Sequence, residues 1–212
     1  MPTSLIVVDD FFADAQGFRE AGLRLTYPAP DDAPAPGADP GKVNLFPGRN
    51  SLERLEIEGL DQYVSQLTGE RLKPLPPPAG HAKFRLTLAS DVGRARVHTD
   101  PGYWSGILYL SRPEDCRGGT DFFRHRRTNT DRRPMNDKEV AALGYKSYAE
   151  SEHDILGRDT LDESAWETTM TVPMRFNRLV LLRPWLWHTA GPGFGDRPEN
   201  GRLVYLMFYM PA

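Results

Sequence analysis

Three side chains in this sequence could hold a metal ion and still leave it room to react: His98, Asp100 and His188. His98 and Asp100 stand two apart in RVHTDPG. In an extended strand residues i and i+2 point to one face, so an imidazole and a carboxylate converge there. The Pro101-Gly102 pair ends that strand and puts both groups at a rim. His188 lies 88 residues beyond Asp100, after RLVLLRPWLW and before TAGPG, again at a strand end. Two imidazoles and one carboxylate cover one face of an octahedral ion. The three open positions suit non-haem iron(II), which must admit oxygen and a co-substrate together. With 5 histidines and 17 aspartates in 212 residues, a His-x-Asp pair alone is close to chance. The weight comes from its context: two strand ends, followed by an arginine that opens the last strand.

The elements that must position these groups are mostly strands. Segments 82–89, 94–99, 105–110, 119–123, 168–174, 178–183 and 202–209 are short, rich in aromatic and β-branched residues, and punctuated by Gly and Pro. That pattern predicts a β-sandwich or barrel. Before them, 4–9 reads as a short strand and Asp14 to Leu25 as a helix with Ala15, Phe18, Gly22 and Leu25 on its apolar face. The stretch from Tyr27 to Asn50, with six prolines, reads as a long loop. Ser51 then reads as the cap of a second helix carrying Leu52, Leu55, Leu60, Tyr63, Val64 and Leu67, with Gly69 near its end. The run PLPPP at 74–78 is a stiff connector. A polar excursion over about 124–167, with helical patches near 137–150 and 160–167, interrupts the strands and reads as a lid. The expected architecture is mainly β: two N-terminal helices and a Pro-rich loop (1–80) supporting a jelly-roll core (81–212) in one domain.

Composition excludes several classes. Hydrophobic content of 39%, charged content of 26% and 22 aromatic residues belong to a folded chain. A net charge of −3 gives no long-range attraction to nucleic acid or anionic membrane. No apolar run approaches the ~18 residues of a membrane span. The start, MPTSLIVVDDFF, lacks the basic region of a signal peptide. The single cysteine, Cys116, excludes an internal disulfide or a cysteine-rich zinc site and suits a cytoplasmic setting.

With His98, Asp100 and His188 in these positions, residues 82–210 resemble the iron(II)/2-oxoglutarate-dependent oxygenases. The resemblance implies a double-stranded β-helix (jelly-roll, cupin-like) core with iron(II) on those three residues. It also implies 2-oxoglutarate as co-substrate and molecular oxygen as oxidant. Such enzymes hold the distal carboxylate of 2-oxoglutarate with a basic residue about ten to fifteen positions after the second histidine. Here Arg202, 14 on, is the first choice and Arg197, nine on, the runner-up. A guanidinium fits because its planar fork grips a carboxylate bidentately in an apolar pocket. GILYLSRPEDCRGGTDFF is similar to the branch containing prolyl 4-hydroxylases, and on that similarity Tyr109 and Thr120 face the co-substrate. The stretch after Phe123 departs from that branch, so peptidyl-proline is not carried over as substrate. The related iron halogenases have a small residue where Asp100 stands, so the intact carboxylate points to hydroxylation or another oxidation rather than halogenation.

The expected substrate is a small molecule, amino acid or peptidyl side chain. Two other readings stay open: a cupin-like metalloenzyme that does not use 2-oxoglutarate, and a non-catalytic binding module on the same fold. The run RHRRTNTDRR at 124–133 reads as a solvated loop or as a contact for an anionic substrate. Trp185 and Trp187 read as burial around the metal. His125 and His153 are not taken as ligands.

Overall fold

A computed structural model describes residues 3–28 and 45–212. The middle of the proline-rich loop predicted over 27–50 lies outside the described residues. Strand β1 (Leu5–Val8) and helix α1 (Ala15–Leu23) open the chain, followed by β2 (Arg49–Asn50), α2 (Leu60–Thr68), β3 (Leu72–Pro74), β4 (Lys83–Thr87), β5 (Trp104–Tyr109) and β6 (Gly119–His125). Helices α3 (Asp137–Ala142) and α4 (Tyr148–Glu152) precede β7 (Trp166–Pro173), β8 (Leu179–Leu182), β9 (His188–Thr189) and β10 (Arg202–Pro211).

The strands form two antiparallel sheets. The larger runs β1-β8-β5-β10-β4-β2, with β3 also on β10; the smaller runs β7-β6-β9. Alternation along the strands explains the layering. In β10, Leu203, Tyr205, Met207 and Tyr209 join Phe84 and Leu86 of β4, Leu108 of β5, and Leu179 and Leu181 of β8 in a core that the N-terminal helices cover. The alternate residues Val204, Ile107, Tyr109, Val180 and Leu182 meet Phe122 of the small sheet inside the jelly roll. Strand β8, LVLL, is buried on both faces, so it reads as an unbroken apolar run rather than as an alternation. The expected jelly-roll core with flanking helices is what the chain forms. Among the described residues no helix is long and apolar enough to cross a membrane.

Helix α1 matches its prediction. Asp14 caps it, its carboxylate accepting from the Gly17 amide at 2.8 Å. Gly22 lets it approach the sheet, since a Cβ there would lie 2.3 Å from the Phe84 ring. The second helix is shorter than expected. Ser51 does not cap it; α2 starts at Leu60 after Gly59 (φ +79°) and ends at Gly69 in the left-handed conformation. Tertiary bonds claim the intervening backbone instead. The Ser51 hydroxyl donates to Glu53 and accepts from the Phe84 amide, and the Leu52 and Leu55 amides donate to Thr26 and Ala82.

Two further expectations are corrected. Residues 94–99 are not a ladder strand: only His98 pairs, with His188. Residues 160–167 hold a single 3-10 turn, Glu163–Ala165, before β7 begins. The polar excursion lies between the end of β6 at His125 and the start of β7 at Trp166. It contains α3, α4 and a π-helical turn, and it packs on the outer face of the small sheet through Ile155, Trp166, Val97, Phe123 and Trp187.

Candidate metal centre

His188 sits on β9, opposite Phe122 of β6 on one side and His98 on the other. The His98 and His188 backbones exchange both amide bonds, at 2.9 and 3.1 Å. This juxtaposes the two rings, with centroids 4.5 Å apart. Asp100 reaches between them: its carboxylate oxygens lie 3.6 Å from His98 Nε2 and 3.4 Å from His188 Nε2. The three ligand atoms all fall within 4.8 Å of one another, a spread that one ion can bridge.

The second layer orients them. His98 Nδ1 donates to the Arg96 carbonyl at 2.9 Å and His188 Nδ1 to the Leu186 carbonyl at 2.7 Å, when both rings are in the Nδ1–H tautomer. Both Nε2 lone pairs then face the centre. Ser105 Oγ, fully buried, donates to Asp100 Oδ2 at 2.9 Å. Burial and the neighbouring His188 push His98 down to about 4, so it is neutral at physiological pH. Burial alone would raise Asp100, but a protonated His188, which would carry a proton on Nε2 as well, with help from His98 and Ser105, holds it at about 2. Burial would lower His188; the Asp100 carboxylate outweighs it and the net shift is upward. The donor set is two imidazole nitrogens and an anionic oxygen, which suits a divalent transition metal.

Behind the triad lies a chamber of about 230 Å3, walled by Ile107, Val204, Leu206 and Phe208, with Arg85 and Arg202 as its cations. Arg202 is 2% exposed, and its Nε and Nη2 find no hydrogen-bond partner. Burial pulls its guanidinium below the usual arginine range. The runner-up, Arg197, lies outside on a 3-10 turn, its side chain 63% exposed and paired with Asp196 at 3.2 Å. Tyr109 and Thr120 are both buried and hydrogen-bond each other at 2.6 Å; neither is among the residues walling the chamber. The Tyr109 ring instead packs near the Arg202 guanidinium, 5.9 Å away.

Sequence reasoning passed over Arg85 and Phe46. Arg85 donates to Asn50 Oδ1 at 2.8 Å and to the Phe46 and Pro47 carbonyls at 2.9 and 2.5 Å. This holds the Phe46 ring 4.2 Å from the His98 ring. A second chamber of about 580 Å3 shares Phe46, Arg85, His98, Ala190 and Arg202 with the first, and draws Leu161 and Glu163 from the polar excursion. A charged residue on a strand whose neighbours are apolar was the available signal for Arg85. No local signal marks Phe46.

The DUF6445 family, a family of unknown function, matches residues 92–209. The chain belongs to the DUF6445 family. The matched span runs from the loop before the triad into β10. No curated protein matches this DUF6445 chain. Among solved structures it is similar to SnoK, a non-heme alpha-ketoglutarate-dependent carbocyclase from nogalamycin biosynthesis. The identity is 13% and the TM-score 0.52, over 100% of this chain and 87% of SnoK. It is also similar to HygX from Streptomyces hygroscopicus, crystallised with nickel, 2-oxoglutarate and hygromycin B. Here the identity is 16% and the TM-score 0.46, over 99% of this chain and 84% of HygX. The likeness to SnoK is one of fold.

The remaining candidates have other work. Trp187 points away from the metal centre, to the outer face of the small sheet, and Trp185 lies 5.5 Å from the Tyr103 ring. This corrects their expected place, since side chains alternate faces along an extended segment. In the arginine run, Arg124, Arg127 and Arg132 pair with Asp131, Asp154 and Glu139. His125 is fully buried and bonds Asp159 at 3.0 Å. Burial raises the half-buried Cys116 thiol, away from a nucleophile's range.

Asp159 carries a pH prediction. Burial would raise its carboxyl, but donors on Arg158, His125 and Arg127 bring it to about 2. A depressed carboxyl stabilises the fold above its unfolded value, and that contribution disappears as pH falls from about 4 toward 2. Asp159→Asn should therefore cost about 2 kcal/mol at pH 7, and much less at pH 2.5. Urea unfolding at the two pH values checks it; an equal loss at both would refute the ionic role.

Proposed function

We propose that this chain is an iron(II)- and 2-oxoglutarate-dependent oxygenase that hydroxylates a small molecule, an amino acid or a peptidyl side chain. The observation that carries the reading is Arg202. Its two unpartnered nitrogens, Nε and Nη2, lie on one edge of the guanidinium, the edge that matches a carboxylate bidentately. A buried, unpaired charge is costly and persists where a ligand completes it. Arg202 also lines the chamber that opens on His98, Asp100 and His188. A dicarboxylate that chelates a metal at one end and ends in a carboxylate at the other fits both requirements. A metalloenzyme without 2-oxoglutarate leaves Arg202 with no counter-ion. The fold shared with SnoK, named as alpha-ketoglutarate-dependent, agrees with this reading.

In this reading His98 and His188 present their Nε2 lone pairs to iron(II), and Asp100 supplies the negative charge that binds it. Bound there with 2-oxoglutarate and oxygen, iron(II) would supply the oxidising power to insert one oxygen atom into a C–H bond, with 2-oxoglutarate converted to succinate and carbon dioxide. Ser105 holds the Asp100 carboxyl in one rotation. Arg202 grips the distal carboxylate of the co-substrate, and the apolar walls exclude the water that would weaken that contact. Phe46, fixed by Arg85, screens His98. The larger chamber receives the substrate, with Leu161 and Glu163 of the polar excursion on its wall.

Iron(II) and 2-oxoglutarate, added together without oxygen, should give a weak visible charge-transfer band, and admission of oxygen should yield succinate. If iron binds but neither band nor succinate appears, the 2-oxoglutarate reading is wrong and only a metal-binding fold is left.

A further inference from the structure

The segment that carries the first candidate metal ligand has a ladder partner on only one edge among the described residues. On one edge, residues 96–100 lie along 184–188, through the His98–His188 pair and an Asp100 amide bond to the Pro184 carbonyl at 2.9 Å. On the other edge no ladder strand pairs with it among the described residues, although the sequence pattern predicts a ladder strand over 94–99; there the Ala95 amide donates to the Leu45 carbonyl at 2.8 Å. Unpaired backbone groups at such an edge must find other partners.

One residue of the polar excursion provides them. Thr160 Oγ1 accepts from the Arg96 amide at 3.0 Å and donates to the Val97 carbonyl at 2.8 Å. Its own carbonyl accepts from the Val97 amide at 3.2 Å. A single threonine thus makes three bonds to the dipeptide just before His98. Arg96 is also the residue whose carbonyl receives the His98 Nδ1–H. Thr160 is itself anchored: its neighbour Asp159 is bonded by His125 at the end of β6, and the Asp159 carbonyl accepts from Trp166 Nε1 at 2.8 Å at the start of β7. The path from the small sheet to the metal ligand runs sheet, Asp159, Thr160, Arg96, His98, with a hydrogen bond or a peptide bond at every link.

We propose that Thr160 is a positioning residue for the metal: the polar excursion is the template that sets His98 in its ligating orientation, as well as a wall of the substrate chamber. The proposal rests on the metal-site reading given above. The physical basis is that a ligand's orientation is set by the groups that hold it. Loss of such a partner usually lowers metal affinity by about 10- to 100-fold. Among the described residues no other hydrogen bond of Arg96 and Val97 substitutes for the hydroxyl, because it serves one donor and one acceptor at once.

Thr160→Val keeps the branched shape and the backbone bond while removing both hydroxyl bonds. Titrating metal-free protein with cobalt(II), read by its visible absorption, should show affinity about 10-fold weaker than wild type, with Thr160→Ser restoring most of it. At saturating cobalt(II), 2-oxoglutarate should bind both variants as it binds wild type, because Arg202 is untouched. Unfolding of the metal-free proteins is measured alongside. If Thr160→Val does not fold, Thr160→Ala takes its place. A stability loss with unchanged cobalt affinity overturns the proposal and leaves a structural threonine; a serine variant as weak as the valine variant overturns it too. Wild type that binds no cobalt(II) removes the metal site altogether. Wild type that binds cobalt(II) but not 2-oxoglutarate sinks only the oxygenase reading.

Discussion

Arg202→Met is expected to lower 2-oxoglutarate affinity by about 100- to 1000-fold and, at the same time, to make the co-substrate-free protein more stable. The first effect follows from losing two charge-assisted hydrogen bonds, together about 3–4 kcal/mol. The second follows from the free guanidinium. It is 2% exposed, two of its nitrogens lack partners, and burial already pulls it toward the neutral form. Replacing such a charge by an apolar chain of similar length removes a desolvation penalty. A gain of about 1–3 kcal/mol is the expected scale. Opposite signs on stability and binding make the test sharp. Thermal unfolding should show the variant melting above wild type without co-substrate, and 2-oxoglutarate should raise the wild-type midpoint but not the variant's. Iron(II) affinity should stay the same in both. A variant that is less stable and binds 2-oxoglutarate normally would mean that Arg202 is a structural residue.

Asp100→Asn carries the other large effect. The change is nearly isosteric and keeps the Ser105 hydroxyl within reach, but it removes the one negative charge among the three ligands. Deleting one partner of a buried charged pair costs about 3–5 kcal/mol, so iron(II) affinity should fall by about 100- to 1000-fold or more. Activity at ordinary iron concentrations should vanish with it. The metal-free variant provides an independent readout. In wild type, burial pushes His188 down and Asp100 more than offsets it. Without that carboxylate burial prevails, and the His188 titration followed by NMR should move below the usual imidazole range. An unchanged iron affinity would remove the triad from consideration.

Several of these features were legible before any fold was known. The alternation in β4, β5 and β10 already assigns faces, because side chains two apart share a side of a strand. His188 and Arg202 stand out because polar residues at the ends of apolar strands have few structural reasons to be there, whereas the strand expected to carry His98 and Asp100 is only a single bridge at His98. Other features were not legible. Ser51 has every local property of a helix cap, yet its hydroxyl goes to Glu53 and to the Phe84 amide of a strand 33 residues away. Trp185 and Trp187 stand just before a candidate metal ligand in sequence, but alternation turns Trp187 to the opposite face of the small sheet.

The sequence by itself determined the two-faced strands, the apolar faces of the helices and the chemistry of the three candidate ligands, since all of these depend on residue type and short spacing. Only the tertiary structure decided which groups complete them. His98 owes its orientation to Thr160, 62 positions on, acting through Arg96. The Phe46 screen owes its place to Arg85, 39 positions away. Among the described residues nothing answers the inner edge of Arg202. Hydrogen-bond partners so far apart in the chain are chosen by packing, and neither composition nor period records them.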